Sequence, residues 1–255
     1  MIKGTLEGNR EEIELVRKLN SNTYPKFWDI LNIKYNTFTY AVRCTSKKFS
    51  KISKQKVSPK SDVFIISTKE EVTLDNNYLD ENMLEQQNIN YTLIMDSGIS
   101  VKEKSSKSYT IQKMTIQTFY TIFGNYELGC AIEYYTGKND TNKNKILETS
   151  WNTNKISIIQ KIHSLAKEYK YPNDLQLDND QNIKRTAIKL TQYIIDNNST
   201  ISDYIFKGIG AFENPYYALF LYKGEQMYPN NIPKNYSITT GSGRSKGDYT
   251  VVIKP

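Results

Sequence analysis

The sequence predicts an α/β protein: a central mixed β-sheet flanked by helices, with a helical middle segment and a β-rich C-terminal part. Three observations carry this. Up to about residue 103, short runs rich in β-branched and aromatic residues alternate with polar turns. The strongest helical periodicity lies in the middle, at 156–169 and 181–197. Beyond Asn198 the chain turns strand-like again, at 204–206, 216–222 and 249–254. With 255 residues, 38% hydrophobic and 12% aromatic, the chain can bury a large core. The expectation is a single domain over 1–255, with a core part over about 1–125 and a second part over about 126–255.

The elements follow in order. Residues 7–19 have helical spacing, with Ile13, Leu15, Val16 and Leu19 on one side. Asn9 suits the N-cap, with Glu12 as its capping-box partner. Glu7, Glu11 and Glu14 share a face near the helix start. Residues 37–44 and 62–67 alternate like strands, and 76–90 reads as a polar, acidic insertion. Strands are expected at 91–96 and 99–103, on either side of a Ser-Gly break. A helix is expected over 111–123, closed by Gly124-Asn125, then a polar loop over 140–145. The helix at 156–169 is stopped by Pro172, and a Gly-Ser-rich stretch over 239–248 precedes the last strand.

Charge points to a polyanionic partner. The net charge is +7 and the sequence pI about 9.1. Lys34, Arg43, Lys47, Lys48, Lys51, Lys54, Lys56 and Lys60 fall in one stretch without a single acid. A phosphate backbone would require such a block, although a solvated lysine-rich loop has the same composition. The 20 tyrosines fit a ligand-facing surface and fit AT-rich coding equally well. Cys44 and Cys130 are far apart and lack metal-ligand spacing, which argues against a zinc site or a disulfide scaffold. His163 is the only histidine and lies in an amphipathic helical pattern, so Ser–His and Cys–His catalysis are poorly supported. No signal peptide and no apolar run of membrane-spanning length appear, and the expected location is cytoplasmic.

The chemistry concentrates at two short strands. Asp62 opens the first, and Lys102 lies within the second. Ser100 and Lys102 are two apart and share a face, while Val101 points the opposite way. A lysine inside an apolar strand is costly unless an anion meets it. A carboxylate that holds a divalent cation, with a lysine beside the attacking water, suits phosphodiester hydrolysis. A solvated strand edge running into Lys104 and Lys107 is the bland alternative.

Pro59-Lys-Ser-Asp62 with Ser100-Val-Lys102 resembles the PD…(D/E)xK signature of the type II restriction endonuclease superfamily. Within it the likeness is to four-base cutters of the MspI kind, where a Ser-Pro-Lys-x-Asp strand precedes an x-x-Lys strand that runs into a Ser-Ser-Lys tract. Ser105-Ser106-Lys107 matches that tract, and Thr240-Gly-Ser-Gly with a last strand ending at Lys254 resembles the base-contacting tail. The opening Gly8-Asn-Arg-Glu-Glu-Ile-Glu14 resembles a first helix that often supplies an auxiliary carboxylate. The likeness covers roughly a quarter of the chain.

The resemblance implies a restriction-endonuclease-like fold, with the nuclease core over about 1–125 and the DNA-recognition part over about 126–255. It also implies Mg2+ as cofactor, double-stranded DNA as partner, and a site-specific deoxyribonuclease acting as monomer or homodimer. A cognate DNA methyltransferase would protect the host genome without needing to bind. Asp62 would be the principal metal ligand, and Lys102 would position or polarise the water. Ser100 stands where the signature has an acid, so a second carboxylate must come from elsewhere: Glu7, Glu11 or Glu14 on the first helix, Asp96, or Glu103. Strand alternation argues against Glu103; the first helix is favoured, with Glu11 and Glu14 as the expected ligands. DNA contacts are expected from Lys60, Lys104, Ser105, Ser106, Lys107, Thr240, Ser242, Arg244, Lys246 and Lys254, with Arg244 able to address a guanine bidentately. Two alternatives stay open: a repair or recombination nuclease of the same fold, and a non-catalytic DNA-binding protein.

Overall fold

A computed structural model describes residues 3–45, 59–106, 109–137, 141–241 and 249–255, with residues 3–8 as backbone. In chain order the elements begin with α1 (Lys3–Asn20), α2 (Pro25–Leu31), β1 (Thr39–Arg43), β2 (Val63–Thr68), α3 (Glu81–Gln87), β3 (Tyr91–Leu93) and β4 (Ile99–Lys102). There follow β5 (Gln112–Thr115), α4 (Ile116–Phe123), α5 (Glu127–Glu133), α6 (Thr141–Ser150), α7 (Lys155–Glu168), α8 (Asp180–Asn197) and α9 (Ser199–Phe206). The chain ends with β6 (Phe220–Lys223), β7 (Gln226–Tyr228), β8 (Ser237–Thr240) and β9 (Thr250–Lys254). Two compact units result: Met1–Lys107 with Phe206–Ile232, and Ser108–Ile205 with Pro233–Pro255.

The first unit is built on a mixed six-stranded sheet of order β1-β2-β4-β6-β7, with β3 also paired to β2. The β4–β6 pair is parallel and the other pairs are antiparallel. A parallel pair needs a crossover; here the connection contains the Ser108–Ile205 part of the second unit. β2 is buried on both faces, which its unbroken Val63-Phe-Ile-Ile66 run requires. Val63 and Ile65 pack with Leu15, Val16 and Leu19 of α1 and with Phe27, Trp28 and Leu31 of α2. Phe64 and Ile66 face the other way, against Val72, Leu79 and Leu84. Helices therefore cover both faces of this mixed sheet, as the sequence predicts.

The second unit carries a three-stranded antiparallel sheet, β5-β9-β8, with helices α4 to α8. Its interior is aromatic and aliphatic: Phe119 meets Trp151 edge-on at 5.7 Å, and Ile183, Ala187, Leu190 and Ile194 form the buried stripe of α8.

Several elements differ from expectation. α1 begins at Lys3, so Asn9 is inside the helix rather than at its N-cap, and no capping box forms with Glu12. Residues 111–115 are not helical: 112–115 form β5, where Met114 alone is fully buried, and Thr115 then caps α4 by accepting the Thr118 N–H. The expected loop over 140–145 falls mostly in α6, anchored by Leu147 and by Asn144, which bonds both backbone groups of Tyr135. With a single fully buried apolar side chain, that helix has almost no periodic signal. Residues 204–206 end α9, where Ile201 and Ile205 are buried one turn apart and Asn198 accepts the Ile201 N–H. The expected insertion over 76–90 holds α3, capped by Asp80.

Candidate active site

Asp62 stands at the N-terminal end of β2. Its N–H donates to the Ile99 carbonyl at 2.9 Å, and its carbonyl accepts from Cys44 N–H at 2.9 Å, which fixes its backbone between two neighbouring strands. Just upstream, the Lys60 and Ser61 N–H groups both donate to the Tyr216 carbonyl, at 3.0 and 3.1 Å. The other strand of the site is set equally tightly. A Cβ on Gly98 would lie 1.9 Å from the Tyr217 carbonyl oxygen, so only glycine lets the 216–217 segment cross the start of β4. The Gly98 carbonyl then accepts from Leu219 and Phe220 N–H, at 3.0 and 3.1 Å.

The side chains converge across this join. Asp62 Oδ2 accepts from the Val101 N–H at 2.7 Å, with the Ser100 hydroxyl at a longer 3.5 Å. As a residue Asp62 keeps a window to solvent, yet its carboxylate lies deep enough to lose its hydration. That loss pushes its pKa up, against the Lys102 ammonium, the two hydrogen bonds from β4 and the Arg43 guanidinium. The Lys60 ammonium is also desolvated. Its pKa is drawn down to about 7, first by burial and then by Lys102, with Asp62 opposing. Its stem needs the bare Cα of Gly208 (φ +81°), where a Cβ would fall 2.6 Å from Lys60 Cγ.

On α1 the carboxylate that feels the Asp62 charge is Glu12. Burial raises its pKa first and the Asp62 charge second, while Arg43 and Lys102 lower it. Glu12 Oε2 accepts from Arg43 Nε at 2.7 Å, and Arg43 Nη2 reaches Asn9 Oδ1 at 3.0 Å. The two residues expected to cap α1 therefore hold one guanidinium instead. Sequence reasoning missed Glu12 in this role, although a signal was present. Counted from the buried Leu15, Val16 and Leu19, Glu12 is the next position of the same stripe, one turn earlier.

The other expected acids lie differently. Glu14 is half-exposed and pairs with Lys18 at 2.9 Å, and this partner lowers its pKa. Glu11 is half-buried on α1, and its charge is felt at the Tyr222 phenol. Glu7 belongs to the part of α1 described as backbone. Asp96 bonds the Tyr217 hydroxyl, and Glu103 bonds Ser105. Among the expected DNA contacts, Lys104 and Ser105 are exposed, and the Ser106 carbonyl accepts from Lys223 Nζ at 2.7 Å. Thr240 and Lys254 end β8 and β9 of the second unit. Lys107, Ser242, Arg244 and Lys246 lie outside the described residues, as does most of the basic block.

Among the described residues no group of three or more His, Cys, Asp and Glu side chains is gathered for a metal ion. Two desolvated carboxylates still stand close enough for the charge of one to raise the pKa of the other. Hard oxygen donors in this number suit Mg2+, which is held by one or two carboxylates together with water and substrate phosphate.

Fold and site define an α/β protein whose mixed sheet joins a carboxylate, a lysine and a helix-borne second acid at the edge of two central strands. Among solved structures, a crystal structure of the restriction endonuclease MspI in complex with its cognate DNA is similar over 95% of this chain and 83% of that one. The sequence identity is 14% and the TM-score 0.41. No protein-family model and no curated protein matches the chain. Among the described residues no helix is long and apolar enough to cross a membrane.

Proposed function

We propose that this protein is a Mg2+-dependent endonuclease that cuts duplex DNA at a specific short sequence, a restriction endonuclease acting in the cytoplasm beside a protecting methyltransferase. One observation carries the reading: Asp62 is held by the backbone of β4, Lys102 of the same strand acts on it, and its own charge is felt at Glu12 of α1. Asp62 and Glu12 would hold the cation, with phosphate oxygens of the DNA completing its shell. A bound divalent cation supplies charge relief at phosphorus and a water of lowered pKa.

The chain's own residues do the rest. The Val101 N–H and the Ser100 hydroxyl hold Asp62 Oδ2, so the carboxylate presents one fixed orientation. Lys102, from the face it shares with Ser100, orients the attacking water and offsets the charge that builds on the phosphate oxygens. Lys60 adds a second ammonium beside Lys102 and Asp62. Arg43 keeps Glu12 extended beside the site before DNA arrives.

Plasmid digestion tests the reading directly. Purified protein, incubated with several supercoiled plasmids in Mg2+ and in EDTA, should give discrete fragments in Mg2+ alone. Sequencing of the ends should return one short motif and its stagger. Retarded but uncut DNA in Mg2+ and in Mn2+ would make the chain a DNA-binding protein. A smear without preferred ends would make it a non-specific nuclease.

A further inference from the structure

We infer that Glu81, acting through Tyr216, is a positioning residue that sets Asp62 against β4; the inference rests on the nuclease reading of that site. Glu81 is 2% exposed at the start of α3. Its Oε2 accepts from the Thr45 N–H at 2.6 Å and the Thr45 hydroxyl at 3.2 Å, and its Oε1 accepts from the Tyr216 hydroxyl at 2.9 Å. A buried carboxylate held by neutral donors is costly, and an apolar side chain of similar volume would avoid that cost. What the carboxylate adds is direction: it ties two chain segments to one point.

Both segments lead to the catalytic join. Thr45 follows Cys44, whose N–H holds the Asp62 carbonyl. Tyr216 is the more telling partner. Its carbonyl receives the Lys60 and Ser61 N–H groups immediately before Asp62, and the next residue, Tyr217, lies against Gly98 immediately before β4. The 216–217 segment thus touches the entry to both strands that carry the site, and Glu81 holds it by its phenol. The charge of Glu81 is felt at the Cys44 thiol as well. Glu81 and Tyr216 are buried, so their effect on the chemistry runs through the placement of Asp62.

The test uses the full chain and three variants. Tyr216→Phe removes one oxygen; Glu81→Leu removes the carboxylate while keeping bulk; Glu81→Gln can still accept from Thr45 and donate to the Tyr216 oxygen. Mn2+ titration by calorimetry, single-turnover cleavage and duplex affinity without metal are measured on each, with circular dichroism to verify folding. Tyr216→Phe and Glu81→Leu should weaken Mn2+ binding by up to about 10-fold, the lower end of the loss for a direct partner of a metal ligand, because neither side chain bonds Asp62 itself. Their cleavage rate should fall in step while metal-free duplex affinity holds, and Glu81→Gln should stay near wild type. If Glu81→Leu does not fold, Tyr216→Phe decides alone. Unchanged Mn2+ affinity in folded Tyr216→Phe overturns the inference. Mn2+ binding by a wild-type protein that cuts no DNA removes the nuclease reading, and the variants' Mn2+ affinities still judge the brace. No Mn2+ binding by the wild type overturns both.

Discussion

Asp62→Asn should abolish cleavage and at the same time make the metal-free protein more stable. In the fold the Asp62 carboxylate loses hydration, which disfavours its ionised form. Lys102, the Val101 N–H, the Ser100 hydroxyl and Arg43 oppose this without overcoming it. Asparagine keeps the volume and an oxygen for the Val101 N–H. It gives up the attraction to Lys102, but Lys102 is half-exposed and regains water. A folded-state pKa above the unfolded one means that the ionised carboxylate costs stability at neutral pH, a cost that a neutral amide of similar shape avoids. With the window of Asp62 to solvent, the expected gain is about 1 kcal/mol, or about 2–4 °C in Tm for a chain of this size.

The sign with pH follows from linkage. The folded-state pKa of Asp62 lies above its unfolded value, so the native state binds the proton more readily than the unfolded chain. The wild type therefore loses stability as pH rises from about 4 through the folded pKa. The amide of the Asp62→Asn variant does not titrate, and the difference between the two proteins should vanish toward pH 4 and grow to its full size by pH 7. Thermal unfolding in EDTA between pH 4 and 8 measures it. Mg2+ at roughly ten times its Kd should then return about 1.4 kcal/mol to the wild type and nothing to the variant. An Asp62→Asn protein less stable than wild type at pH 7 in EDTA, or one stabilised by Mg2+ as the wild type is, would refute the reasoning.

Three further outcomes are expected. Lys102→Ala should lower single-turnover cleavage about 10²–10⁴-fold with duplex affinity intact; cutting at a near-wild-type rate would remove Lys102 from the mechanism. Glu12→Gln should raise the half-saturating Mg2+ concentration about 10-fold or more, whereas Glu11→Gln should change it little; the reverse order, read from cleavage against Mg2+ concentration, would return the role to Glu11. In the second unit, burial lifts the Glu133 pKa to about 7 against Lys184 and the Thr250 N–H. Native protein then binds a proton that the unfolded chain has released, so stability falls between about pH 4.5 and 7. Glu133→Gln should remove that slope and add up to about 3 kcal/mol above pH 7, an upper bound for a half-buried group, as urea unfolding at pH 5 and 8 would show.

What the sequence made legible tracks how strongly one periodicity dominates a segment. Val63-Phe-Ile-Ile66 is readable because both faces of β2 are buried, and α7 and α8 because their buried residues recur at helical spacing. β5 and α6 were not readable. Met114 is the one fully buried residue of the first, and Leu147 the one fully buried apolar residue of the second. Their conformations depend on partners far along the chain, β9 in one case and Asp180 in the other. No window of local sequence contains those partners.

The site divides in the same way. Asp62 and Lys102 were readable because each breaks an apolar strand, and a charge in such a place needs a reason. Glu12 was hidden by a competing local explanation, since Asn9 followed three residues later by a glutamate is also a capping box. The helix start at Lys3 removes that explanation, and Arg43 then shows what Asn9 and Glu12 are for. The serine at position 100 acquires a physical meaning once Glu12 is in view. A carboxylate there would be a third acid beside Asp62 and Glu12, in a site where two desolvated carboxylates already face each other. Ser100 instead offers its hydroxyl to Asp62 Oδ2, and the second negative charge enters from the helix, where Arg43 can hold it.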